Sequence, residues 1–162
     1  MCFLLYNMFM IFRLIEYPTD KHSLVAGELV LRKLYLDHDT DDPETIESII
    51  TAKTSGFRNY CLENGSDLIA IGSIKLDYMR WASNVVFENI VVSDEYTGNG
   101  FGRMLINHLI DEVRKMGAKS VSLSSTRDAV AFYEHVGFER LSEDEEDRNM
   151  FYLLEDPNLV KL

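Results

Sequence analysis

Residues 88–103 read Glu-Asn-Ile-Val-Val-Ser-Asp-Glu-Tyr-Thr-Gly-Asn-Gly-Phe-Gly-Arg, a strand pattern that runs into a glycine-rich turn at the head of a helix. The peptide N–H groups of such a turn, and of the first helical residues, have no carbonyl partner inside the helix. They can converge on an anion at its positive end. Gly98, Gly100 and Gly102 lack a Cβ, so phosphate oxygens can come close to the main chain. The stretch predicts a pyrophosphate socket between a strand and a helix.

The spacing excludes two common sockets. A dinucleotide fingerprint needs Gly-x-Gly-x-x-Gly, whereas these glycines alternate and Arg103 follows them. A Walker-type loop needs Gly-Lys-Ser or Gly-Lys-Thr, which is absent. A glycine turn that shapes the chain and binds nothing is the plain alternative.

Outward from this stretch the chain alternates strand and helix signals. Ile11 to Tyr17 reads as a strand ended by Pro18; Ser23 caps a helix to about Leu36, and Asp42-Pro43-Glu44 opens a second. Arg58 to Leu62, Leu68 to Leu76 and Val85 to Val92 read as a meander of strands, with Asn64-Gly65 as the turn between the first two. From Phe101 to Met116, Ile106, Leu109, Ile110, Val113 and Met116 recur at three- and four-residue spacing, and Gly117 ends the helix. Ser120 to Ser124 is a strand, Asp128 to Val136 a short helix and Asn149 to Leu154 a closing strand. A strand, long helix and strand in succession imply a parallel crossover.

With 162 residues, 46% of them hydrophobic, the chain suits one domain over 1–162, with 1–9 as a ragged extension or a misassigned start. Cys2 and Cys61 form neither a disulfide framework nor a zinc set, and they suit reduced thiols in the cytoplasm. Met1 to Phe12 is apolar but too short to span a bilayer, so no membrane role is expected. A net charge of -11 argues against nucleic acid and favours cationic partners. Two acidic clusters, Asp37, Asp39, Asp41 and Asp42, and then Glu143 to Asp147, read first as solvated loops. His22, His38, His108 and His135 have no ligand partner at metal spacing, so no metal is expected.

Two segments together resemble the GNAT superfamily of N-acetyltransferases. Val91 to Gly102 is similar to its acetyl-CoA motif, Gln/Arg-x-x-Gly-x-Gly/Ala. Ala129-Val130-Ala131-Phe132-Tyr133-Glu134-His135-Val136-Gly137-Phe138 is similar to its later Ala-x-x-x-Tyr-x-x-x-Gly-Phe signature. The resemblance implies an α/β (α+β) fold: a mixed, mostly antiparallel sheet of six to seven strands with about four helices. It also implies acetyl-CoA as cosubstrate, contacted by Ile90, Val91, Val92, Thr97, Gly98, Asn99, Gly100, Phe101, Gly102, Arg103, Thr126 and Phe132. Two positions depart from the family: Thr97 stands where Gln or Arg is usual, and Thr126 where many members have Asn.

Acyl transfer from a thioester to an amine needs a base, amide donors for the oxyanion and an acid for the leaving thiol. The resemblance makes Tyr133 the candidate acid, while its place on the stripe Ala129, Phe132, Tyr133 and Val136 also suits a core tyrosine. Glu88 is the candidate base: strand alternation puts it with Val86, Ile90 and Val92, an apolar setting that can tune a carboxylate for proton transfer, and puts Asn89 opposite. Pairing with Arg80 or another cation is the alternative for Glu88. Arg103 suits either a phosphate contact or an exposed helix position. The expected function is acetyl-CoA-dependent N-acetylation of a primary amine, on a cationic small molecule or a lysine side chain, by direct attack in a ternary complex. Asp37 to Asp42 would draw the amine, and a monomer or homodimer is the expected assembly. A non-catalytic acetyl-CoA-binding module is the alternative.

Overall fold

The computed structural model describes residues 10–15, 56–64, 67–75, 83–144 and 146–154. The two early helices, Arg80 and the acidic segment at Asp37 to Asp42 lie outside the described residues. The strands are β1 (Met10–Ile15), β2 (Phe57–Asn64), β3 (Asp67–Lys75), β4 (Asn84–Val92), β5 (Ser120–Ser124), β6 (Glu139–Arg140) and β7 (Asn149–Leu153). The α-helices among these residues are α1 (Phe101–Lys115) and α2 (Val130–Val136), each preceded by a short 3-10 turn, at Asp94–Tyr96 and Arg127–Ala129. All seven strands form one sheet, in the order β1-β2-β3-β4-β5-β7-β6. The sheet is mixed and mostly antiparallel, as expected.

The meander β2, β3 and β4 pairs antiparallel, with Asn64 opposite Asp67 at the tight connection. β5 then joins β4 in parallel, as the intervening long helix requires. That pairing covers only Asn84 to Val86 against Ser120 to Ser122. Beyond Val86 the two strands part, and among the described residues the second half of β4 keeps a strand partner only on its β3 side.

α1 forms where the three- and four-residue apolar spacing predicts it. Phe101, Leu105, Ile106, Leu109, Ile110 and Val113 are its buried residues, and each buried large side chain contributes about 1.5–3 kcal/mol. The helix closes one residue earlier than expected, with Met116 as its cap and Gly117 at φ +80° donating to the Arg114 carbonyl. Gly72 on β3 lets α1 lie close against the sheet: a Cβ there would meet Leu109 Cδ1 at 2.6 Å and Ile90 Cδ1 at 2.9 Å.

α2 ends at Gly137, whose φ of +111° turns the chain, and Phe138 then folds back into the core. Its ring lies 5.7 Å from Tyr133, 6.4 Å from Phe87 and 5.3 Å from Tyr152. The Gly-Phe pair of the later motif thus anchors α2 to the sheet. β6 carries no pattern of its own in the sequence; two residues long and exposed, it exists because β7 offers an edge to pair with. The loop between β6 and β7 holds the acidic cluster, where Glu146 pairs with Arg127 at 3.0 Å and Asp147 donates its N–H to Asp144.

Candidate active site

Where β4 leaves β5, a cavity of about 520 Å³ opens between the end of β4, the turn at Thr97 to Arg103 and α2. Ile90 and Val92 form its β4 wall, and Ala129, Phe132, Tyr133 and Val136 its α2 wall. Gly98, Gly100 and Gly102 lie along its rim.

The turn has the backbone its glycines permit. Gly98 has φ +81° and Gly100, the N-cap of α1, has φ +83°. Met104 donates to the Gly100 carbonyl, which is the first bond of the helical ladder. Among the described residues, the N–H groups of Gly98, Gly100, Gly102 and Arg103 make no main-chain hydrogen bond. Free donors at the positive end of a fifteen-residue helix, open to a cavity, fit a diphosphate. Thr97 differs: its N–H reaches the Asp94 carbonyl and its hydroxyl the Ser93 carbonyl. Asn99 caps the turn from outside, its amide donating to the Tyr96 and Thr97 carbonyls.

Tyr133 is 7% exposed and lines the cavity, with Phe132 packed edge-on at 5.1 Å. Burial pushes its phenol up from 10.0 to about 12, because the phenolate would lose its solvation. The group therefore keeps its proton throughout the neutral range. Tyr133 thus belongs both to the core cluster and to the cavity wall.

Other expected contact residues are divided. Val91 and Phe101 are buried, at 4% and 8% exposure, and do not line the cavity; neither does the exposed Thr126. Arg103 lines it, with its guanidinium donating to the His135 carbonyl at 3.1 Å. Tyr96 and His135 also line it; both fall inside the two motif segments, though neither is an expected contact residue. Tyr96 is held by Asp67, at 3.0 Å from its hydroxyl and 29 positions away in the chain, and by the nearby Phe101 ring.

The setting of Glu88 differs from the expectation. Ser73 pairs with Glu88, yet Ile71 pairs with Val91, so three steps on β4 match two on β3. The extra residue is a β-bulge at Asn89, which has φ +53°. The bulge reverses the side on which later residues emerge. Ile90 and Val92 share the α1 side with Phe87, whereas Glu88 lies with Ser73 and Lys75 on the other side. Asn89 also turns to that side, donating to the Ser73 hydroxyl at 3.3 Å. The surroundings of Glu88 are not apolar either: its side chain is 38% exposed, and its carboxylate lies 4.0 Å from the Lys75 ammonium. The cation partner is thus Lys75.

Comparison with known proteins agrees with this geometry. The family model described as Acetyltransferase (GNAT) family matches residues 25–138. The [ribosomal protein bS18]-alanine N-acetyltransferase of Escherichia coli K12 is 43% identical over 53 residues, which is 31% of this chain and 36% of that protein. Streptothricin acetyltransferase of Streptomyces lavendulae is 31% identical over 77 residues, 46% of this chain and 41% of that protein. The chain therefore spans well under half the length of these curated relatives. A Vibrio cholerae spermidine N-acetyltransferase, solved with CoA and spermine, superposes with a TM-score of 0.68 at 18% identity, over 91% of this chain and 96% of that one. A GNAT acetyltransferase of Staphylococcus aureus superposes at 0.64 with 15% identity, over 90% and 100%. The parted strands, the glycine turn and the extent of the family match lead to one conclusion: this chain belongs to the GNAT acetyltransferase family.

Proposed function

We propose that this protein is an acetyl-CoA-dependent N-acetyltransferase that acetylates a primary amine by direct attack in a ternary complex. One observation carries the reading: Gly98, Gly100, Gly102 and Arg103, whose N–H groups make no main-chain hydrogen bond, line a single cavity together with Tyr133 and its protonated phenol. Acetyl-CoA would supply the acyl group as a thioester. Gly98 to Arg103 would bind its diphosphate through main-chain amides, and the main chain at Ile90 to Val92 would hold the acyl end and donate an N–H to the developing oxyanion. Tyr133 would hold a proton at its phenol oxygen for the departing sulfur. Glu88, on the opposite face of β4, would take the amine proton through a water, with the acceptor arriving from that face.

The acceptor is a cationic amine, a small molecule or a lysine side chain. The net charge of -11 supports this. So do the relatives, whose names give a ribosomal-protein alanine, streptothricin and spermidine as acceptors. We assign a monomer or homodimer, although the Vibrio cholerae relative is described as dodecameric.

The test is release of the CoA thiol from acetyl-CoA across a panel of amines. Tyr133→Phe lowers kcat about 10²-fold, the lower end for positioned proton transfer, at unchanged acetyl-CoA affinity. Glu88→Gln lowers kcat as well. Cofactor binding without release on any amine points to a non-catalytic acetyl-CoA-binding module, and absence of binding overturns the assignment.

A further inference from the structure

Three polar side chains are buried in a row across the middle of the sheet: Asn59 on β2 at 4% exposure, Ser73 on β3 at 0% and Asn89 on β4 at 5%. They form a chain of hydrogen bonds with one direction. The Asn89 amide donates to the Ser73 hydroxyl at 3.3 Å, and that hydroxyl, having a single proton, donates to Asn59 Oδ1 at 2.6 Å. Their neighbours Cys61, Ile71 and Val91 are apolar and equally buried. Polar groups at such positions stabilise a sheet less than valine or isoleucine would, unless their hydrogen bonds impose a specific geometry.

The geometry at stake is the β4 bulge. Asn89 sits at φ +53° inside a strand, a conformation that costs an L-residue about 1–2 kcal/mol and that asparagine tolerates better than most. On one face its side chain is tied to Ser73. On the other, Gly72 supplies the gap that the bulge needs, since the site of its missing Cβ is 2.9 Å from Ile90 Cδ1 and 2.6 Å from Leu109 Cδ1. Two independent features, one on each face, thus hold the same bulge. Without it, simple alternation from Phe87 would send Asn89 and Val91 to the cavity side and turn Ile90 and Val92 away.

We infer that Asn59, Ser73 and Asn89 are positioning residues that set the β4 bulge and thereby select which part of β4 faces the acyl end of the cofactor. Its bearing on catalysis rests on the proposed function; its bearing on the bulge does not. Removing the Ser73 hydroxyl breaks both of these bonds at once.

The test uses Ser73→Ala and Asn89→Ala beside two conservative variants, Ser73→Thr, which keeps a hydroxyl, and Asn89→Gly, which accepts positive φ without side-chain help. Acetyl-CoA affinity is read by calorimetry, and the methyl contact between Ile90 and Leu109, whose Cδ1 atoms lie 2.9 and 2.6 Å from the site of the missing Gly72 Cβ, by NMR on the cofactor-free protein. The expected result is a weakening of about tenfold or more in both alanine variants, together with loss of the methyl contact, because small displacements of positioning groups have large effects. Ser73→Thr and Asn89→Gly recover most of the affinity and the contact. If both alanine variants keep the contact and the affinity while losing only melting temperature, the relay is merely structural and the inference fails. Should the unmodified protein bind no acetyl-CoA, the cofactor reading falls alone, and the methyl contact still decides the relay.

Discussion

The Phe132 ring lies so close over Gly102 that a methyl group on Gly102 would meet its Cζ at 3.3 Å and Val92 Cγ2 at 3.5 Å. Gly102 is therefore the point where α1, α2 and β4 approach one another at the cavity rim. Its substitution should separate stability from binding. Gly102→Ala gains about 1 kcal/mol of helix propensity but displaces Phe132, so the unfolding free energy stays within about 1 kcal/mol of the original. Acetyl-CoA affinity falls about tenfold or more, as filling the rim crowds a diphosphate. Calorimetry beside thermal melts checks both; unchanged affinity would remove Gly102 from the binding rim.

Gly100 has a different requirement. A Cβ there meets nothing within 4 Å, yet φ is +83°. Gly100→Ala is predicted to cost about 1–2 kcal/mol through backbone strain alone. Denaturant unfolding measures it. A neutral effect would mean that the turn relaxes to negative φ without loss.

Arg103 joins the head of α1 to the end of α2 through the His135 carbonyl, at an exposed position. Arg103→Ala should change stability by less than about 1 kcal/mol. On the proposed reading, in which Arg103 lies beside the diphosphate, acetyl-CoA affinity should drop several-fold, with a shallower dependence on salt. Titrations at two ionic strengths show it, and an unaltered salt slope would leave Arg103 as a helix tie only.

Tyr133 links the site to alkaline stability. Its folded value of about 12 exceeds the unfolded 10.0, so the unfolded chain releases the proton first as pH climbs. The associated stabilisation is complete below about pH 10 and is lost between about 10 and 12, by about 2–3 kcal/mol. Tyr133→Phe should flatten that part of the stability profile. Identical alkaline profiles for the two proteins would contradict the burial of the phenol.

His108 acts at the other end of the scale. Burial, with the Tyr60 ring edge-on at 5.8 Å, lowers its imidazole below the ordinary 6.5, against the opposing pull of Glu112. The unfolded chain takes up the proton first as pH falls, so this contribution is present above about 6.5 and declines below it. His108→Phe should therefore show a smaller drop in melting temperature between pH 7 and 5. An equal or larger drop counts against it.

Much of this molecule can be read from local pattern. Apolar spacing alone locates α1, since a buried helix face repeats every three or four residues, and Gly98 and Gly100 mark a positive-φ turn because few other residues adopt one. Gly137-Phe138 likewise marks both the end of α2 and its aromatic anchor. These features depend on residues near one another in the chain.

The side of β4 on which each residue emerges depends on residues far away. Val85 to Val92 alternate in burial without a break, so nothing local signals that Asn89 inserts an extra step. That step is held by Ser73 and Asn59 on other strands and by Gly72 beneath α1, and it carries Glu88 and Ile90 to opposite faces. The cavity has the same origin, because β4 and β5 part only when both have taken their places in the sheet. Short-range spacing settles which elements form; cross-strand pairing, which no single segment encodes, decides what those elements turn toward one another.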